Sequence, residues 1–147
     1  MHVLDTLKFT TVTPPAAIVD NAAFTTAAID TQGWGELMFL VILGALDIAV
    51  AVLKVTESED SGMSGAADVP NADFSVSPAT LPAATADNLL FGVIVRVRGK
   101  RKRYLDISFT GGDGSAGSYA AVIAIQAQPE TYPIDAAGRG FSQLLRA

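Results

Sequence analysis

Apolar residues are densest over residues 36–57, ELMFLVILGALDIAVAVLKVTE, where Asp47 is the only charge between Glu36 and Lys54. Such a run approaches the roughly 20 apolar residues that a membrane-spanning helix needs. Its period argues for something else. From Asp47 to Val55, the side chains of Ile48, Val50 and Val52 alternate with Ala49, Ala51, Leu53 and Val55. A repeat of two, rich in β-branched residues, marks a strand with both faces at least partly covered. An aspartate at mid-bilayer would also cost about 3 kcal/mol. The pattern therefore predicts a buried β-hairpin, with residues 36–43 as the first arm, Gly44 to Asp47 as the turn and residues 47–55 as the second arm. A lone two-layer domain buries only one face of such an arm, so an arm of the chain or a neighbouring subunit is expected to close the other.

The same period returns downstream. Phe91, Val93, Val95 and Val97 share one face of a predicted strand over residues 89–97, while Leu90, Ile94, Arg96 and Arg98 share the other. Arg98, Gly99, Lys100 and Arg101 then read as a turn, and residues 103–110 as a returning strand with Leu105, Ile107 and Phe109 facing the core. Gly111 to Ser118 is rich in glycine, but it lacks the Gly-Lys-Ser/Thr and the following helix of a phosphate cradle. It opens instead onto a further alternating strand, residues 119–128, and reads as a flexible hairpin loop.

Elsewhere the signals are weaker. Residues 7–12 are β-like and end at Pro14 and Pro15, which bar helix and central-strand pairing, so residues 1–15 are expected to form an arm or edge strand. Residues 16–28 suggest two brief strands around Asp20 and Asn21. Gly33 and Gly35 flank the sole tryptophan, Trp34, in a predicted bend where it either packs on the end of the core or anchors an interface. Residues 57–65 carry acids and glycines without calcium-loop spacing and read as a solvated loop. Residues 62–86 suit a long sheet-to-sheet connection, with a short strand near Phe74 to Val76. Residues 129–147 contain Pro129, Pro133, Gly138 and Gly140, which exclude a long helix, and Phe141, Leu144 and Leu145 give this extended carboxy-terminal arm something to dock with.

About eight short strands without a convincing helix predict an all-β fold. The expected form is an antiparallel two-sheet β-sandwich over residues 16–128 with extended terminal arms. Jelly-roll or Greek-key topology suits the long connection, and an immunoglobulin-like sandwich competes with it.

A chain of 147 residues suits one domain, and the half of it that is hydrophobic implies that a partner covers some surface. With no cysteine and a single histidine, His2, near the terminus, Ser-His-Asp, Cys-His and histidine-based zinc sites are excluded. Paired carboxylates remain formally open. The chain is expected to be neither an enzyme nor a cofactor carrier, and no signal peptide is visible. A net charge of −5 speaks against general nucleic-acid binding. Six of the ten basic residues nevertheless cluster in one place: Arg96, Arg98, Lys100, Arg101, Lys102 and Arg103. Such a tip is a solvated turn that blocks edge pairing, a contact for an acidic protein surface, or a phosphate-backbone contact whose affinity would fall steeply with salt.

The order of several local patterns carries a resemblance. These are AAIVD at residues 16–20, IDTQGW at 29–34, LKVTESED at 53–60 with ADVP at 67–70, and RYLD at 103–106 followed by GDG at 112–114. Together they resemble small capsid decoration, or cement, proteins of tailed bacteriophages. That resemblance implies a jelly-roll or β-sandwich virion protein on the outer capsid surface. It would bind the major capsid protein there and cement neighbouring capsomers, as a homo-oligomer (dimer or trimer) whose repeated contacts gain avidity. Another virion β-sandwich component, in the tail, connector or head-fibre base, is the alternative. A carbohydrate-binding module fits less well, with one Trp and three Tyr for sugar stacking.

Overall fold

A computed structural model describes residues 3–18, 22–24, 26–99, 101–115, 117–132 and 135–145. After a short 3-10 turn at Val3–Thr6, the chain forms eight strands: β1 Lys8–Ile18, β2 Ile29–Asp30, β3 Glu36–Leu43, β4 Val52–Ser58, β5 Ala67–Asp73, β6 Leu90–Arg96, β7 Tyr104–Thr110 and β8 Ser118–Ala127. They make two four-stranded antiparallel sheets, ordered β1-β8-β3-β6 and β2-β7-β4-β5. The expected all-β sandwich is present. None of the described helices is long and apolar enough to cross a membrane.

The pairing has one simple rule. Strand β1 pairs with β8, β2 with β7, β3 with β6 and β4 with β5. The chain is therefore a single long hairpin rolled up on itself, which is the jelly-roll arrangement. Among consecutive strands, β4 and β5 alone share a sheet, and every other connection crosses from one sheet to the other.

Five local expectations differ from the structure. Residues 36–57 are not a hairpin: β3 lies in the first sheet and β4 in the second, and residues 44–51 arch between them. Ile48 and Ala49 sit exposed on the arch, and Val50 is buried. The turn near Gly99 and the glycine-rich loop are likewise arches, linking β6 to β7 and β7 to β8. The short strand expected near Phe74 lies earlier, at Ala67–Asp73, so the long crossing occupies residues 74–89. Residues 16–18 complete β1, Ala23 makes an isolated bridge to Thr110, and the expected turn at Asp20 and Asn21 falls outside the described residues.

Alternation selects the core. Leu37, Phe39, Val41 and Leu43 from β3 meet Leu53 and Val55 from β4, Leu105, Ile107 and Phe109 from β7, and Val122 from β8. All are at most 2 % exposed, as such inward positions should be. Gln126 is buried with them, and its amide Nε2 donates to the carbonyl of Asp30 at 2.8 Å, which satisfies it and ties the two sheets together.

The carboxy-terminal segment docks on its own domain. The Phe9 amide donates to the Arg139 carbonyl at 2.9 Å, Arg139 Nη2 lies 3.1 Å from Asp5 Oδ1, and the Phe9 and Phe141 rings meet at 5.1 Å.

Asp106, on the outer side of β7, is half-buried beside Thr26. The Thr26 hydroxyl donates to Oδ2 and the Ile107 amide to Oδ1, both at 2.7 Å. Burial pushes this carboxyl above its ordinary pKa, outweighing those hydrogen bonds. An acid whose pKa is raised by folding binds its proton more tightly when folded. Its stabilising contribution is complete below the unfolded pKa and is lost as pH rises through the folded one. Asp106→Asn should therefore gain on the wild type as pH rises through and just above the carboxylate range. Melting temperatures at stepped pH check this, and a difference that does not change with pH would refute it.

Candidate functional site

The basic cluster is not the free cationic tip that a hairpin would make. Because this stretch links the first sheet to the second, the side chains of Arg101 and Arg103 fall back on acids from distant strands. Arg103 forms a bidentate pair with Asp30, with Nε 2.9 Å from Oδ1 and Nη2 2.6 Å from Oδ2, and its guanidinium lies 5.1 Å from the Tyr104 ring centre. This hydrogen-bonded pair holds the Asp30 carboxyl below its ordinary pKa. Arg101 Nη1 is 3.5 Å from Glu57 Oε1, and the Lys102 amide donates to Glu57 Oε2 at 3.1 Å. Arg98 donates to the Gln128 carbonyl at 3.3 Å. Arg96 is the most exposed of the paired arginines, with 86 % of its side chain accessible and Glu36 Oε1 3.7 Å away. Lys100 lies outside the described residues.

Of the expected interface anchors, Phe141 is spent on the intramolecular contact with Phe9, whereas Leu144 is half-buried and Leu145 is 94 % exposed. Trp34 is half-buried, at the mouth of a shallow 380 Å³ depression beside Arg98, Arg101, Arg103 and Glu130. Glu59 and Glu130 share that lining with the three arginines, so it presents no single-sign field to a ligand. Among the described residues, no group of three or more His, Cys, Asp or Glu side chains could hold a metal ion.

The more pronounced surface is the outer face of the first sheet. Register places Met38 of β3 between Ile94 of β6 and Ile125 of β8. The next row is Leu40 between Gly92 and Ile123, and the third is Ile42 between Leu90 and Ala121. Only the last row, Glu36 between Arg96 and Ala127, brings charge. Leu90 and Ile94 are 63 % and 66 % exposed, and Ile42 and Tyr119 are exposed as well. Between Ile42, Tyr119 and Pro15 the face opens into a 740 Å³ hollow.

The outer face of the second sheet is of the opposite kind. There Lys54 stands opposite Ser108, and Thr56 opposite Asp106. One sheet thus turns a conventional polar surface to solvent, as one-sided antiparallel sheets do, and the other turns an apolar one.

Sequence reasoning placed two-sided apolarity on residues 47–55, but β4 carries polar Lys54 and Thr56 outward. The two-sided strand is β3, where Met38, Leu40 and Ile42 alternate with the core residues. That signal was visible in the unbroken run Leu37 to Leu43. No protein-family model matches the chain, and no curated protein matches it.

Proposed function

We propose that this chain is a non-catalytic structural protein of a tailed-phage virion that binds the outer surface of the capsid, with the major capsid protein as its partner. The observation that carries the reading is the apolar outer face of the first sheet, and the family resemblance of the sequence supplies the partner. Three strands about 4.8 Å apart and seven residues at about 3.4 Å give that face a footprint of roughly 14 by 24 Å. In plane this is roughly 340 Å², under half of the roughly 800 Å² per partner of a standard interface, so repeated copies on one shell would have to add their contacts through avidity. Arg96 and Glu36 supply a polar rim at one end, the arrangement in which rim charges set orientation and on-rate more than affinity.

Expanded capsids mixed with the purified protein test this. Wild-type protein should occupy a fixed number of sites per shell and delay thermal disruption of the particle. Ile42→Lys puts a charge on the row of the face farthest from Glu36 without touching the core, and a buried unpaired charge should lower occupancy by about ten-fold or more. Its melting temperature should stay within about 2 °C of wild type, as expected for a surface change. Absence of wild-type binding would overturn the capsid reading, and equal occupancy by Ile42→Lys would overturn the assignment to this face.

A further inference from the structure

We propose that two copies of this chain pair antiparallel through the free edge of β6, centred on Gly92, to make a two-fold dimer with one continuous eight-stranded sheet. The sandwich has four sheet edges, and three are protected against such pairing. Strand β1 contains Pro14 and Pro15, shifts register twice, and gives its Phe9 amide to the carboxy-terminal segment. Strand β2 is two residues long. Strand β5 contains Pro70, a left-handed residue at Asn71 and a register irregularity against β4. Prolines, bulges, shortness and covering segments are the devices by which sheet edges avoid other chains.

Strand β6 has none of them. Its sequence is Leu-Phe-Gly-Val-Ile-Val-Arg, and its ladder with β3 runs from Leu90 to Arg96 without a register shift. Two bonds set the phase of that ladder: Leu43 donates to the Leu89 carbonyl and Val97 to the Gly35 carbonyl, both at 3.0 Å. Odd-numbered residues of β6 therefore point their amides and carbonyls at β3, and Leu90, Gly92, Ile94 and Arg96 point theirs away. Among the described residues, no backbone group bonds to that second set. Gly92 has no side chain, so its exposure is exposure of the backbone itself.

The occupant that matches this edge is a second copy. Antiparallel pairing about Gly92 sets Leu90 opposite Ile94 of the second copy, and Ile94 opposite its Leu90, so apolar side chains meet on the outer face. On the inner side, Phe91 faces Val93. At each end Arg96 runs past Leu90 of the other copy towards the turn that carries its exposed Asp87, so the basic end of each strand approaches the acidic lead-in of the other. The isologous contact closes on itself, and it doubles the width of the apolar face.

The absence of cysteine provides a clean test, carried out without capsids so that it stands or falls apart from the shell-binding reading. Directly opposed residues of a hydrogen-bonded antiparallel pair have Cα atoms about 5.5 Å apart, within disulfide reach. A Cβ at Gly92 meets nothing nearer than the Phe39 carbonyl at 3.8 Å, so Gly92→Cys keeps the fold. Under mild oxidation it should form covalent dimers at least about ten-fold faster than Thr11→Cys, which is exposed on the opposite edge strand, because pairing raises the effective thiol concentration. Light scattering should give the wild type twice the chain mass, and Ile94→Lys, with unchanged circular dichroism, the mass of one chain. A monomeric wild type, equal cross-linking rates at the two sites, or a dimer that survives Ile94→Lys would each overturn the proposal.

Discussion

Phe109→Ala should lower unfolding stability by about 3–5 kcal/mol, the range for removing a buried aromatic side chain. Phe109 is 1 % exposed on β7, an interior strand of the second sheet, and faces Leu53 across the ladder with β4. Phe24 stands edge-on to its ring, with centroids 4.6 Å apart at 87°. The Phe24 amide donates to the Phe109 carbonyl at 3.0 Å, and Ala23 bridges to Thr110. The truncation leaves a cavity where two sheets and a crossing segment converge, and the surrounding strands cannot collapse into it without breaking ladder pairs. Chemical denaturation followed by circular dichroism measures the change. The midpoint should fall with little change in slope, and Val76→Ala, exposed on the crossing after β5, should stay within about 0.5 kcal/mol of wild type. A loss below about 1 kcal/mol in Phe109→Ala would refute this placement of the ring.

Gly140→Ala should free the carboxy-terminal segment from β1. Gly140 has a φ of +84°, which L residues adopt only with strain of about 1–3 kcal/mol. A Cβ there would also land on the Phe9 carbonyl, a backbone group that cannot swing aside. The segment has to lift, and with it go the Phe9–Arg139 hydrogen bond, the approach of Arg139 to Asp5 and the Phe9–Phe141 contact. Limited proteolysis should cut residues 136–145 several-fold faster in the variant, while the exposed neighbour Ser142→Ala should digest like wild type. Equal digestion of Gly140→Ala would show that the segment is held by something other than this close approach. Lifting it also bares the β1 edge at Phe9, so the variant should aggregate more readily on heating.

Several parts of this picture were readable from the chain. Leu90–Arg96, Tyr104–Thr110 and Ser118–Ala127 appear where alternation placed them, because a strand needs only local geometry to set its two faces, and Glu36–Leu43 appears where the apolar run was read as the first arm of a hairpin. The edge position of β1 followed from Pro14 and Pro15, since proline cannot donate to a ladder. Strand β5 was missed because Pro70 interrupts its pattern, and an edge strand tolerates what a central one does not. The basic cluster was visible as a cluster, but its state was not. Asp30 lies 73 residues from Arg103, and Glu57 lies 45 residues from Lys102.

What the sequence determined by itself is which side chains share a face, and hence an all-β protein with more apolar face than one core consumes. Only the tertiary structure decided which strands are neighbours. A loop such as residues 44–51 is long enough either to turn back within one sheet or to arch to the other, and alternation reads the same in both cases. Packing resolves the choice: with β3 and β4 in opposite sheets, Leu37 and Phe39 meet Leu53 and Val55 across the core instead of lying beside them. The same crossing turns Met38, Leu40 and Ile42 outward, leaves β6 without a second neighbour, and folds the arginines of the next arch back onto Asp30 and Glu57. Long-range pairing of this kind rests on contacts between residues far apart in the chain, and no local window of sequence contains them.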